Sequence, residues 1–452
     1  MQTLINDNGT REILARLARA NSEFALSHPG DPTGRQPVHT VYGGAHLFNA
    51  GLAGKLGATA LRVLEEHAPD PASFASALGL CGAELTDAVY TRVIGKLRRE
   101  PVEDFRIDFE DGYGYRTDAE EDAHAVAVGE QLAAGMEQGT LPPFIGIRIK
   151  PFTEELWARA VSTLDLTIGT LAERVQGQLP SGFVVTLPKV TTAAQVGALV
   201  DLFEVLERRT SLAAGSLQVE LMIETPQAIL EPGGRVAPPR LVAAARGRCR
   251  SVHFGTYDYT ALLGITAPHQ SHTHPACDFA RHIMQVSLAQ TGVILSDGAT
   301  TVMPIAPHRA GKAGPPLSPA QLEENRRAVH AAWKLHYDNV RSSLRHGIYQ
   351  GWDLNPAQLP IRYAAVFAFF LEGRAEAARR LRGFIEKAAQ ATLSGNLFDD
   401  AATGQGLLNY FLRGINCGAL TEQEALDAGL TLEELRGRSF MKIVEARRPK
   451  EP

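Results

Sequence analysis

The chain has 452 residues, of which 44% are hydrophobic and 21% charged, with a formal net charge of -5. That is an ordinary globular composition with material for a large core, and it excludes a disordered or fibrous chain. The slight acidity offers no basic footprint for nucleic acid or for an anionic membrane, so small molecules are the expected partners. Cys81, Cys249, Cys277 and Cys417 lie far apart without CxxC spacing, which argues against a zinc ribbon or a disulfide framework and fits a reducing compartment. The N-terminus lacks a basic region followed by an apolar run, and no stretch approaches the roughly 18 apolar residues of a membrane span. The expected location is the cytoplasm.

Residues 1–36 read as a peripheral helix followed by the connector SHPGDPTGRQP. Ile13, Leu14, Leu17 and Phe24 fall at helical spacing, and the expected role is packing or cover. From Val38 a repeat sets in: a short β-branched or apolar run, then a helical stretch long enough for a crossover. The runs are VHTVYGG, FRIDFEDGYGY, FIGIRIKPF, GFVVTLPKV, QVELMIETP, SVHFGTYD, GVILSDGATTVMPI and HGIYQGWDLNP. Thr117 and Glu120 have capping-box spacing at the helix after the second run. From about Pro360 the chain turns almost wholly helical, with Gly373 and Gly395 placed as C-caps. Alternating strands and helices predict a (β/α)₈ TIM barrel over 37–360, preceded by an N-terminal helical segment (1–36) and followed by a C-terminal helical extension or lid (361–452). A doubly wound sheet is the rival. Arg148, Lys189, Glu224 and Asp258 decide for the barrel, because they close successive runs at the end where barrel enzymes place their chemistry.

Glu224 and Asp258 are hard oxygen donors one βα unit apart, hence on neighbouring strands. Two carboxylates with positions left for water and substrate are how Mg²⁺, or alternatively Mn²⁺, is held in small-molecule enzymes; helix capping or pairing with an arginine is the ordinary alternative. Arg148 ends a buried strand, where its charge requires a partner: a substrate carboxylate or enolate, or structurally Glu110 or Asp111. Lys189 suits the same work, with a Schiff base as a lesser alternative. Asp108, Glu110 and Asp111 form an acidic turn able to orient Arg148 or metal-bound waters. DGYGY lacks the third glycine of a dinucleotide fingerprint, and no Walker A motif is present. His269, His272 and His274 invite a zinc reading and so a hydrolase, although their spacing matches no zinc motif and a closing loop is the better expectation.

In order, DFED at Asp108, RIKPF at Arg148, LPKV at Lys189, MIETP at Glu224, HFGTYDYTALLG at Asp258 and GWDLNPAQ at Gly351 resemble the motifs of the citrate lyase β-subunit and malyl-CoA lyase group of the HpcH/HpaI aldolases, within the pyruvate/phosphoenolpyruvate barrel superfamily. YTALLG stands where that group has ADLG. The resemblance implies a Mg²⁺-dependent carbon–carbon lyase or aldolase working through a metal-stabilised enolate on a small hydroxy or oxo acid or its CoA thioester. It implies Glu224 and Asp258 as metal ligands, Arg148 as the substrate-gripping arginine with Lys189 beside it, and Thr225, Pro226 and Gly255 as substrate contacts. GNLFDDAAT resembles the segment that carries an aspartate into a neighbouring subunit's site. This implies a homo-oligomer whose C-terminal extension touches its neighbour, with Asp399 transferring a proton and Asp400 the adjacent alternative. A barrel of the same family kept for binding or regulation is the alternative function.

Overall fold

The strand core of each of the eight runs is largely buried, which suits parallel strands wrapped by helices. The computed structural model describes residues 8–32, 34–310, 315–386, 392–394, 397–399 and 401–447. The strands are β1 (His39–Gly44), β2 (Asp104–Asp108), β3 (Phe144–Arg148), β4 (Val184–Leu187), β5 (Gln218–Ile223), β6 (Cys249–Phe254), β7 (Ile294–Ala299) and β8 (Gln350–Asp353). They pair in parallel in chain order and β8 pairs back to β1, so the barrel closes. The expected (β/α)₈ architecture is what the chain adopts.

Helices fill the crossovers as their signals predict. Thr117 caps the helix Asp118–Gln138 through the Glu120 N–H, with the reciprocal bond present. The helix Leu359–Glu386 packs against both Pro319–Arg345 and Ala83–Arg99 and so takes the eighth place around the barrel. The division of the chain at residue 360 therefore remains a proposal about folding units, since packing runs across it. Gly373 does not end a helix as expected; it lies within this one, and the Tyr410 hydroxyl would sit 3.0 Å from any Cβ there. The tail is almost wholly helical as expected, broken among the described residues by the two-stranded antiparallel ladder of Thr392–Ser394 and Leu397–Asp399. Gly395 lies outside the described residues.

The N-terminal helix Asn8–Ser27 exists, but the expectation that it packs on the chain is corrected. Every residue from Arg11 to Ser27 is exposed. No helix among the described residues is long and apolar enough to cross a membrane.

The barrel interior departs from the branched apolar filling usual in this fold. Arg106 on β2 grips Glu220 on β5 through Nε (3.1 Å) and Nη2 (2.8 Å), and reaches Asp104 through Nη1 (2.9 Å). Thr186 and Ser251 donate to Glu220 at 2.7 and 2.8 Å, and Thr40 to Asp104 at 3.0 Å. A buried charge needs this full set of partners, so five strands are pinned by one polar layer.

Candidate metal and substrate site

Strand register decides which side chains meet at the C-terminal rim. Asp108 and Arg148 are register partners on β2 and β3. Arg148 donates to both Asp108 oxygens, Nε at 2.7 Å and Nη2 at 2.5 Å, a bidentate pair out of water. The Glu110 and Gly112 N–H groups also donate to Asp108, at 2.9 and 2.7 Å, so the acidic turn is folded around this one carboxylate. The remaining guanidinium nitrogen, Nη1, lies 3.1 Å from Glu110, and the Tyr42 ring covers the group at 4.8 Å. Asp108 and Glu110 thus supply the structural partners that the sequence left open for Arg148.

Glu224 follows β5, where Ile223 pairs with Phe254 of β6, and this register brings Glu224 beside Gly255. A Cβ on Gly255 would stand 2.3 Å from Glu224 Oε2, so only glycine admits the carboxylate. Glu224 Oε1 accepts the Lys189 N–H at 2.7 Å. Lys189 presents that N–H from a left-handed backbone, φ 49°, a conformation costing roughly 1–2 kcal/mol for a non-glycine residue. Its ammonium turns the other way, pairing with Glu110 and approaching Asp111 at 3.2 Å and Asp258 at 3.6 Å. These acids hold Lys189 protonated, raising its pKa against the effect of burial, which works against a Schiff-base role.

Asp258 stands in the first turn of the short helix Thr256–Leu262, four residues beyond the end of β6, and its side chain is 41% exposed. Glu224 is almost fully buried, and burial together with the Asp258 charge raises its pKa to about 8. Both acids line one cavity of about 510 Å³, whose wall also includes Arg148, Tyr42, Gly255 and Trp352. Among the described residues Asp108, Glu110, Asp111, Glu224 and Asp258 face Arg148 and Lys189 as their cations, so the rim carries an excess of negative charge. All-carboxylate donors in excess over cations fit a hard divalent ion. Among the described residues no three His, Cys, Asp or Glu side chains converge tightly enough to hold a metal ion.

The other expected residues have different fates. Thr225 donates its hydroxyl to the Val190 carbonyl at 2.7 Å and caps the turn Pro226–Ala228, so neither Thr225 nor Pro226 reaches the cavity wall. The side chain of Asp399 and the whole of Asp400 lie outside the described residues. The zinc-hydrolase alternative is corrected. His272 is buried against Ser343 (3.1 Å) and Asp297 (3.3 Å), His274 caps the helix Pro275–Leu288 through Nδ1, and His269 ends the turn Ala267–His269. Three histidines with three separate tasks form no site. Sequence reasoning missed Tyr42 and Trp352, while His253 was one of several strand-end histidines, with His39, His46 and His308, that the sequence offered without choosing among them. Trp352 Nε1–H donates to His253 Nδ1 at 3.1 Å, and His253 Nε2 lies 2.7 Å from Glu220, linking the cavity wall to the buried polar layer. Aromatic residues within VYGG and GWD, at strand ends facing the chemical rim, were the available signal.

A closed (β/α)₈ barrel with an acidic, arginine-bearing cavity at the C-terminal rim defines the class of protein. Within that class, residues 17–443 match the family described as Domain of unknown function (DUF6986), and the chain belongs to it. No curated protein matches it. A solved citrate lyase from Burkholderia xenovorans LB400 is 17% identical, covering 88% of this chain and 97% of its own at a TM-score of 0.56; at that identity the likeness shows the fold. CitE from Mycobacterium tuberculosis, in complex with magnesium, acetoacetate and coenzyme A, is 15% identical with coverage of 86% and 100% and a TM-score of 0.48. A Haloferax volcanii malate synthase with magnesium and glyoxylate is 14% identical, with coverage of 93% and 99% and a TM-score of 0.44. Neither of these two carries weight for this chain's chemistry.

Proposed function

We propose that the protein is a Mg²⁺-dependent carbon–carbon lyase or aldolase acting on a small hydroxy or oxo acid or its CoA thioester. The observation that carries the reading is that Glu224 and Asp258 share one cavity with Arg148 under an unbalanced negative charge. Glu224 and Asp258 would hold the ion, which when bound supplies positive charge to an enolate oxygen as the bond breaks. Arg148, locked in orientation by Asp108, offers the edge now facing Glu110 to a substrate carboxylate. Lys189 holds Glu224 in place through its N–H and keeps its ammonium among the neighbouring acids. Tyr42 and Trp352 would give the substrate's carbon skeleton an aromatic wall to lie against. Asp399, from the C-terminal segment of a neighbouring subunit, is the proposed proton-transfer group.

Calorimetry with Mg²⁺ tests the site. The intact chain should bind, and Glu224→Ala should lose binding while keeping its circular dichroism spectrum. Unchanged affinity in that variant would remove Glu224 from the metal site. A screen for Mg²⁺-dependent release of pyruvate, glyoxylate, oxaloacetate or acetyl-CoA tests the reaction class. Mixing Glu224→Ala and Asp399→Ala subunits should restore activity if the site is shared.

A further inference from the structure

The N-terminal helix Asn8–Ser27 carries its apolar residues in a pattern of its own. Ile13, Leu17, Ala20 and Phe24 recur at spacings of four, three and four. That is the spacing of a two-stranded coiled-coil seam, with Leu14, 44% exposed, flanking it at a position where a pairing helix would also cover it. Ile13, Leu17 and Phe24 are 56%, 52% and 58% exposed; His28, just beyond the helix, stacks on the Phe24 ring at 4.3 Å and leaves the rest of the seam open. Most helical stability in proteins comes from packing an apolar face, and the described residues supply none to this one.

We propose that this helix pairs antiparallel with the same helix of a second copy of the chain. Read antiparallel, the seam complements itself: Leu17 meets Ala20 of the second copy, Ile13 meets its Phe24, and Thr10 meets its Ser27. Each layer then sets a larger side chain against a smaller one, or a hydroxyl against a hydroxyl. A parallel pair would stack Phe24 on Phe24 and leave Ala20 facing Ala20. Charge makes the same choice. Arg16 and Glu23 flank the seam on one side, seven residues and so about 10 Å apart, too far to meet within one helix. Antiparallel pairing brings Arg16 to Glu23 of the second copy, twice by symmetry, whereas parallel pairing sets Arg16 against Asn21. The contact is isologous and closes on two chains.

Sedimentation of the full chain over a concentration series tests this. The wild-type chain should associate in pairs, and Leu17→Glu, at a solvent-facing position, should halve the mass with an unchanged circular dichroism spectrum. Arg16→Glu and Glu23→Arg should each weaken pairing at least tenfold, while mixing these two variants, or combining both changes in one chain, should restore it. A wild-type monomer, or a mass indifferent to Leu17→Glu, overturns the proposal. Loss in the single charge variants without recovery on mixing overturns the antiparallel arrangement.

Discussion

Glu224 is buried with no ion-pair partner among the described residues, because the Lys189 ammonium is turned to Glu110, Asp111 and Asp258. With its pKa raised to about 8, it titrates later in the folded chain than in the unfolded one. The metal-free protein therefore loses stability as pH rises from the unfolded value near 4 toward 8. Glu224→Gln keeps an acceptor for the Lys189 N–H and removes the charge. It should raise metal-free stability at pH 8 by roughly 1–3 kcal/mol, with no gain at pH 4, in urea denaturation. A variant less stable than the parent at pH 8 would show that the charge is already compensated. Gly255 tests the same carboxylate from outside. An alanine Cβ would lie 2.3 Å from Oε2 and 2.4 Å from the Cβ of Glu224, which cannot yield without moving β5. Gly255→Ala should lower Mg²⁺ affinity by about 10–100-fold in calorimetry, the effect of disturbing a ligand's support.

At the scale of strands, Gly146 shows how tightly the barrel closes. A Cβ there would meet the Val184 carbonyl at 2.1 Å and Arg106 Nη1 at 2.9 Å, so it would press on the β3–β4 ladder and the polar layer together. Gly146→Ala should cost about 3 kcal/mol in chemical denaturation. Gly169→Ala, in the helix Trp157–Arg174 with open space around it, should be neutral or gain about 0.5–1 kcal/mol. Equal effects would refute the steric reading. The strands were legible because each apolar run sits between turn or cap signals and ends near a polar residue. Their order on the rim followed from βα alternation alone. The partners of Arg148 were only half legible, since Asp108 meets it through register, which periodicity does not specify. Arg106 and Glu220 are 114 positions apart, so nothing local marks them as a pair. The bent backbone at Lys189, which aims its N–H at Glu224, carries no glycine or asparagine to announce it.

Across the whole molecule, buried carboxylates of two kinds set the pH response. Burial by itself would raise Glu220, Asp297 and Asp353, but their partners outweigh it: Arg106 and the His253 contact for Glu220, His272 and Arg281 for Asp297, and Arg362 with hydrogen bonds from His336 and His39 for Asp353. All three stay ionised in the folded chain well below the usual carboxylate range. The unfolded chain takes up these protons near pH 4 and the folded chain resists, so their stabilisation is present above pH 4 and drains away below it. Three such groups give a slope of roughly 3–4 kcal/mol per pH unit once the unfolded carboxyls are protonated. Asp104, Glu110 and Glu224 have the opposite sign, since burial raises each and the folded chain holds the proton longer. They erode stability as pH climbs above about 4, Glu224 up to about 8. The two groups act with opposite sign, so the metal-free chain should lose stability both as pH falls below about 4 and as it rises above that value. Urea denaturation from pH 3 to pH 8 measures this directly, and added Mg²⁺ should lift the alkaline side alone, because at acid pH Glu224 is protonated and cannot bind it. Stability that does not fall below pH 4 would mean that the polar layer and the Asp297 and Asp353 clusters do not hold their charges as the structure arranges them.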